Sequence, residues 1–145
     1  SKNTFYMPNP CDKSIDYLKN FKITPDFDMF YAISHGVHRG NLRYGKNDDR
    51  ELFITKLMKK NTNIKFDTYG MFGIEPVWGN DFLEKISNCK MALNLSRGKP
   101  VKYYSSDRIA QLMGNGLLTF VHEDTKLNDF FNNDEMIFYK NIDDI

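Results

Sequence analysis

An α/β fold, built as an open and mostly parallel sheet of about five strands with helices on both faces, is predicted by three observations. Short, continuous apolar runs such as Phe27 to Ser34, Met91 to Leu95 and Leu117 to Val121 read as strands buried on both faces. Between them lie segments whose apolar residues recur at helical spacing. The two kinds alternate along 145 residues, enough chain for one domain with a real core, and no internal repeat or low-complexity tract interrupts them.

Residues 1–25 read as a linker or lead-in. Pro8 and Pro10 block regular structure, a short helical pattern from Ser14 to Asn20 turns Ile15 and Leu18 inward, and Pro25 marks the boundary. The domain then spans residues 26–145. Its first strand is Phe27 to Ser34, followed by a polar, basic loop with three glycines. Asp49 to Lys60 is the first helix, with Leu52, Phe53, Leu57 and Met58 inward, and Ile64 to Tyr69 the second strand, closing at Gly70. Strand, helix and strand make a right-handed crossover with the strands parallel. A loop from Gly70 to Gly79 carries the single tryptophan, Trp78; then Asn80 caps a helix from Asp81 to Asn88 with Phe82, Leu83 and Ile86 inward.

After the third strand, Met91 to Leu95, the loop Ser96 to Tyr104 carries Arg97, Lys99 and Lys102. Ser106 or Asp107 caps the next helix, where Ile109, Leu112 and Met113 share a face and Gly114 or Gly116 ends it. Leu117 to Val121 is the fourth strand. Thr125 to Asn132 reads as a helix with Leu127, Phe130 and Phe131 inward, and Met136 to Tyr139 as the fifth strand. Asn141 to Ile145 starts a further helix and stops, the pattern of a chain truncated at its C-terminal end.

A formal net charge of +1 gives no bulk attraction for nucleic acid or an anionic membrane, so anion binding has to be local. Cys11 and Cys89 lack disulfide-framework or zinc spacing, and the three histidines lack ligand spacing; no metal site is expected, and a cytoplasmic setting fits. No long apolar run marks a membrane span, which leaves peripheral association only through a region outside this chain. Dinucleotide and Walker-type glycine fingerprints are missing, as is the G-x-S-x-G elbow, and no catalytic residue stands out.

In an open parallel sheet ligands bind beyond the carboxyl ends of the strands. The loops His35 to Arg43, Gly70 to Gly79 and Arg97 to Arg108 all leave such ends. Together they offer Arg39, Arg43, Lys102, Arg108 and a helix start for a diphosphate, Trp78 among glycines for a base, and Gln111 for a sugar hydroxyl. For Ser105 to Gly116 an ordinary capped helix stays open beside the phosphate reading, as does a helix-end cover for Trp78.

The stretches Glu75-Pro-Val-Trp-Gly-Asn-Asp-Phe-Leu-Glu84, Ser87-Asn-Cys-Lys-Met-Ala-Leu-Asn-Leu95 and Ser106-Asp-Arg-Ile-Ala-Gln-Leu-Met-Gly-Asn-Gly-Leu-Leu118 resemble the C-terminal, nucleotide-sugar-binding domain of GT-B glycosyltransferases. The variety is the spore-maturation-protein type, and the similarity runs from about Phe27 to Asp144. It implies one Rossmann-like half of a GT-B fold, with the acceptor domain outside this chain. It also implies His35, Gly36 and Arg39 over the donor diphosphate, with Arg97, Lys102, Ser106 and Arg108 in the phosphate-facing loop. Val77, Trp78 and Gly79 would lie near the base. The ribose-holding glutamate of relatives falls on Gln111, and the earlier glutamate of their E-x7-E pattern on Tyr103.

The implied function is transfer of a sugar from a UDP- or GDP-type nucleotide sugar to a glycan or lipid-linked acceptor of polysaccharide biosynthesis, with no further cofactor. Gln111 and Tyr103 also fit a non-catalytic nucleotide-sugar module, and the bare α/β pattern fits a flavodoxin-like or receiver domain.

Overall fold

The computed structural model describes residues 3–34 and 49–145. Five strands form one parallel sheet: β1 (Phe27–Ala32), β2 (Phe66–Tyr69), β3 (Cys89–Asn94), β4 (Leu118–His122) and β5 (Ile137–Tyr139), in the spatial order β2-β1-β3-β4-β5. Three helices connect them, α1 (Asp49–Lys60), α2 (Gly79–Ile86) and α3 (Asp107–Gly114). The chain moves one way from β1 to β2 and the other way from β2 to β3 to β4. Crossovers of one hand then put α1 on one face and α2 and α3 on the other.

Strand alternation divides the core accordingly. Met29, Tyr31 and Ile33 join Leu93, Phe120 and Tyr139 against Ile54 and Leu57 of α1. Phe30, Ala32 and Ala92 join Phe82 and Ile86 of α2 and Leu112 of α3. Beyond them Ile109 and Val121 pack with Leu127 and Met136. Helices on both faces of a five-stranded parallel sheet are the predicted architecture.

Several local expectations are corrected. In α1 the inward stripe is Arg50, Ile54 and Leu57, spaced i, i+4, i+7, which leaves Phe53 and Met58 on the flanks and Leu52 exposed. At α2 the cap position is Trp78, with no side-chain cap bond, so Asn80 already lies inside the helix. Residues 125–132 form no α-helix. His122 Nδ1 accepts the Asp124 N–H, Thr125 Oγ1 donates to the His122 carbonyl, and Lys126 takes φ 55°, so local bonds divide the segment into two 3-10 turns, Glu123–Thr125 and Leu127–Asp129. Phe130 consequently stays 43% exposed, while Leu127 is buried and Phe131 half-buried. The chain closes in a 3-10 turn, Ile142–Asp144, with an Asn141 capping box.

The lead-in runs along α3. Its expected helix reduces to a turn at 13–15 and a 3-10 turn at Asn20–Lys22, with Ile15 exposed and Leu18 packed on the core. Buried Asn20 donates its side-chain amide to the carbonyls of Ile86 (2.5 Å) and Cys89 (2.8 Å). Buried Asn115 accepts the Leu18 N–H and donates to Asp16. The lead-in presses close to α3: a Cβ on Gly114 would sit 2.8 Å from the Asp16 Cβ.

Asn20→Ala leaves two buried carbonyls without their donor, at about 1–3 kcal/mol each. The expected loss is about 2–4 kcal/mol in urea unfolding. A loss of less than about 0.5 kcal/mol, the usual range for a surface change, would show that the lead-in is not anchored there.

Candidate functional site

The strand order reverses between β1 and β3, so their carboxyl ends border the crevice where such sheets take ligands. Arg108, in the first turn of α3, spans that point. Its Nε donates to Asn94 Oδ1 at 2.9 Å, Nη1 to the Ala32 carbonyl at 3.1 Å and Nη2 to the Leu95 carbonyl at 3.2 Å. Burial pushes the guanidinium below its ordinary pKa, yet it remains a cation. Three of its five N–H groups are engaged, and no described residue accepts the other two.

The start of α3 is capped as the sequence predicts. Ser106 Oγ accepts the Ile109 N–H at 3.4 Å and approaches Asn94 Oδ1 at 3.5 Å. The helix ends in a Schellman motif: Gly116, at φ 83°, donates to the Met113 carbonyl and Leu117 to that of Leu112. Of the two candidate terminators, Gly116 is the one whose conformation calls for glycine. At the opposite end of the site, the turn after β2 depends on Gly70, where a Cβ would lie 1.9 Å from the Ile33 carbonyl oxygen.

A cavity of about 460 Å³ lies over the carboxyl ends of β3, β4 and β5. The last residue of each strand lines it, Asn94, His122 and Tyr139, with Phe53 of α1 on one side and the loop from Leu95 to Tyr104 over it. Asn94, Thr125 and Tyr139 are its most buried members. His122 and Tyr139 meet edge to face, ring centres 5.3 Å apart. The Asp124 N–H bonded to His122 Nδ1 puts the proton of the neutral ring on Nε2. Arg97, Lys99 and Lys140 also line the cavity.

The predicted residues distribute unevenly. His35, Gly36, Arg39 and Arg43 lie outside the described residues. Arg97 lines the cavity, Lys102 sits over the Tyr103 ring at 4.6 Å, and Ser106 and Arg108 meet at Asn94. Gln111 follows Arg108 by one helical turn, its side chain hydrogen-bonded to no described residue. Val77, Trp78 and Gly79 stand at the start of α2, beyond the edge strand β2, and do not line the cavity. Trp78 holds the helix end through its carbonyl, which accepts from Asp81 and Phe82, while its ring is 56% exposed.

Tyr103 is built into the scaffold. It adopts φ 61°, its hydroxyl donates to Asp129 at 2.6 Å, and its ring packs with Tyr6 and Phe130, each centre 5.1 Å away. Sequence reasoning missed Asn94, His122 and Tyr139 as a set. The available signal was positional: each is the last residue of its strand.

The glycosyl transferase-like family model matches residues 48–145, about two thirds of the chain and everything from α1 onward. The chain belongs to the glycosyl transferase-like family. No curated protein and no solved structure matches it. Strand order 2-1-3-4-5 is equally that of flavodoxin-like sheets, so topology alone does not separate the readings; family membership does, and it makes the chain a glycosyltransferase domain. The glycosyltransferase class works on a sugar donor and an acceptor. Among the described residues no helix is long and apolar enough to cross a membrane.

Two outcomes follow for this glycosyltransferase domain. Asn94→Ala removes an acceptor from a half-buried cation and should cost about 1.5–3 kcal/mol. Combined with Arg108→Met the costs should fall well short of additive in a double-mutant cycle, and strict additivity would mean that the two do not interact. Burial pushes the Cys89 thiol up to about 12, and the Tyr139 and Tyr69 phenols also move upward, chiefly through burial. Above pH 9 the unfolded chain loses these protons while the native protein keeps them, so the unfolded state binds fewer protons and stability falls with pH. The urea midpoint should therefore drop between pH 9 and 11, and more gently in Cys89→Ala.

Proposed function

We propose that this chain is the donor-binding domain of a glycosyltransferase that moves a sugar from a UDP- or GDP-type nucleotide sugar to a glycan or lipid-linked acceptor of polysaccharide biosynthesis. The observation that carries the reading is the Arg108 guanidinium, fixed across the ends of β1 and β3 with two N–H groups that no described residue accepts. A cation held this way needs no reorganisation when charge builds on a departing diphosphate. Arg97 and Lys102, both exposed, are long enough to close on the same group, and His35, Gly36 and Arg39 follow β1 in the sequence. These cations take the part of the counter-ion, so transfer proceeds without metal.

Gln111 is the ribose partner, one turn along α3, and its neutral amide both donates and accepts. Val77, Trp78 and Gly79 hold the base, with the exposed Trp78 ring as the stacking surface. Residues 26–145 form the donor half and residues 1–25 its lead-in, while a second domain, outside this chain, supplies acceptor and catalytic base in the cytoplasm. A non-catalytic nucleotide-sugar module is the second reading, favoured by Tyr103, whose ring stack and Asp129 bond leave no acidic group at that position.

A thermal-shift series with UDP, GDP, ADP and their sugars tests the donor site, because a ligand that binds only the native state raises Tm by mass action. One uridine or guanosine diphosphate should raise Tm by several degrees with EDTA present, and Gln111→Glu should change the affinity of nucleotides but not of inorganic pyrophosphate. If neither UDP nor GDP shifts Tm at millimolar concentration, the donor-site reading fails. Transfer or hydrolysis by the protein joined to an acceptor domain separates enzyme from module.

A further inference from the structure

Ser106 and Asp107 are both suited to cap α3, and only Ser106 does so. Asp107, the first residue of the helix, is exposed and turns to the lead-in instead, where its Oδ1 accepts from Asn9 Nδ2 at 2.6 Å. Asn9 grips the same turn a second time, because its backbone N–H donates to Ser105 Oγ at 3.1 Å. The lead-in is fastened on both sides of this contact. Tyr6 packs on the rings of Tyr103 and Phe130, and Cys11 Sγ donates to the Ala110 carbonyl at 3.1 Å.

The place of Asp107 gives its contact with Asn9 a consequence for anions. Helix starts carry N–H groups without intrahelical partners and a partial positive charge, and a carboxylate in the first turn is drawn to them. Asp107 also directly precedes Arg108, the cation assigned to the diphosphate. Released from the lead-in, its carboxylate can fold onto the helix start and set a negative charge beside an arriving phosphate. Among the described residues no cation pairs with Asp107, so the neutral amide of Asn9 is what holds it.

We infer that Asn9 is a positioning residue of the donor site: its side-chain amide keeps the Asp107 carboxylate off the start of α3, so that the turn bearing Arg108 stays open to the diphosphate. The inference rests on the donor-site reading above and extends the site into the lead-in. Asn9 touches no ligand and acts through Asp107 alone. Its effect therefore falls on the diphosphate and is the same whatever base is attached.

The test is a double-mutant cycle of Asn9→Ala and Asp107→Asn, with inorganic pyrophosphate, UDP and GDP titrated by calorimetry. Asn9→Ala removes the amide and keeps the backbone bond to Ser105. It should weaken pyrophosphate and the nucleoside diphosphate that the parent binds by about three- to tenfold, the scale of one unit charge a few ångströms from an anion at a protein surface. Asp107→Asn should bind at least as tightly as the parent. The double variant should match Asp107→Asn, since without the carboxylate the amide has nothing to restrain. The loss in Asn9→Ala should also shrink as salt is raised from about 0.05 M to about 0.5 M, where screening is strong. A merely structural Asn9 would lower Tm and weaken binding by the same factor with and without Asp107→Asn. That result, or unchanged pyrophosphate affinity in Asn9→Ala, overturns the inference. Absence of pyrophosphate, UDP and GDP binding in the parent instead sinks the donor-site reading, and this inference with it.

Discussion

Three hydrogen bonds from one guanidinium hold the site together. In a parallel sheet the strand ends at the reversal of order diverge, and nothing in the ladder itself joins the end of β1 to the loop after β3. Arg108 makes that join by giving up much of its hydration for three acceptors, two of them backbone carbonyls at the strand ends. A buried charge tolerates this only while its acceptors stay in place. Asn94 is therefore as much a part of the arrangement as the arginine, and Ser106, which touches Asn94 and caps α3, fixes the helix start to the same point. The far end of α3 is fixed independently, by the Gly116 turn and by the lead-in bonded to Asn115. Held at both ends, α3 presents Arg108 and Gln111 one turn apart with little freedom to readjust.

Tyr103 shows how a departure from a family pattern becomes structural. The resemblance puts an acid here, where a ligand would balance it. This chain instead has an aromatic ring at positive φ, backed by Tyr6 from the lead-in and Phe130 from the turns after β4. The Tyr103 N–H donates to the Thr125 carbonyl and its hydroxyl to Asp129, so the loop over the cavity is tied to those turns at two points. Offset and edge-on ring pairs are worth about 0.5–1.5 kcal/mol beyond their buried area.

The features legible in the sequence were those set by local rules with a single solution. The buried runs of β1, β3 and β4 admit no other placement, and the Ser106 cap and the glycine after α3 follow from backbone groups that must be satisfied. Failures came where two local solutions compete. Thr125 and His122 spent their side chains on the backbone, which a hydrophobic pattern alone does not register, and the helix expected from Thr125 dissolved into turns. In α1 the phase of the stripe slipped because Leu52, Phe53, Ile54, Leu57 and Met58 are apolar on too many sides to fix it. For the site, Arg108 was legible as a cation at the start of α3 but not as a clamp. Its partners lie 13 to 76 residues away, and their convergence depends on strand order, which no local pattern encodes.

The distribution of charge explains why fixed geometry matters here. With a net charge of +1 the chain has no long-range field to gather anions, and at physiological ionic strength exposed cations are screened beyond about 8 Å. Attraction must therefore come from groups already in position. Arg97, Lys99 and Lys102 are exposed, and an exposed cation loses side-chain entropy on being ordered, so any contact it makes contributes modestly. Arg108 has lost that freedom already, during folding, and its field acts in a less polar surrounding where it falls off slowly. A ligand that meets such a group gains the bonds without the ordering that normally offsets them.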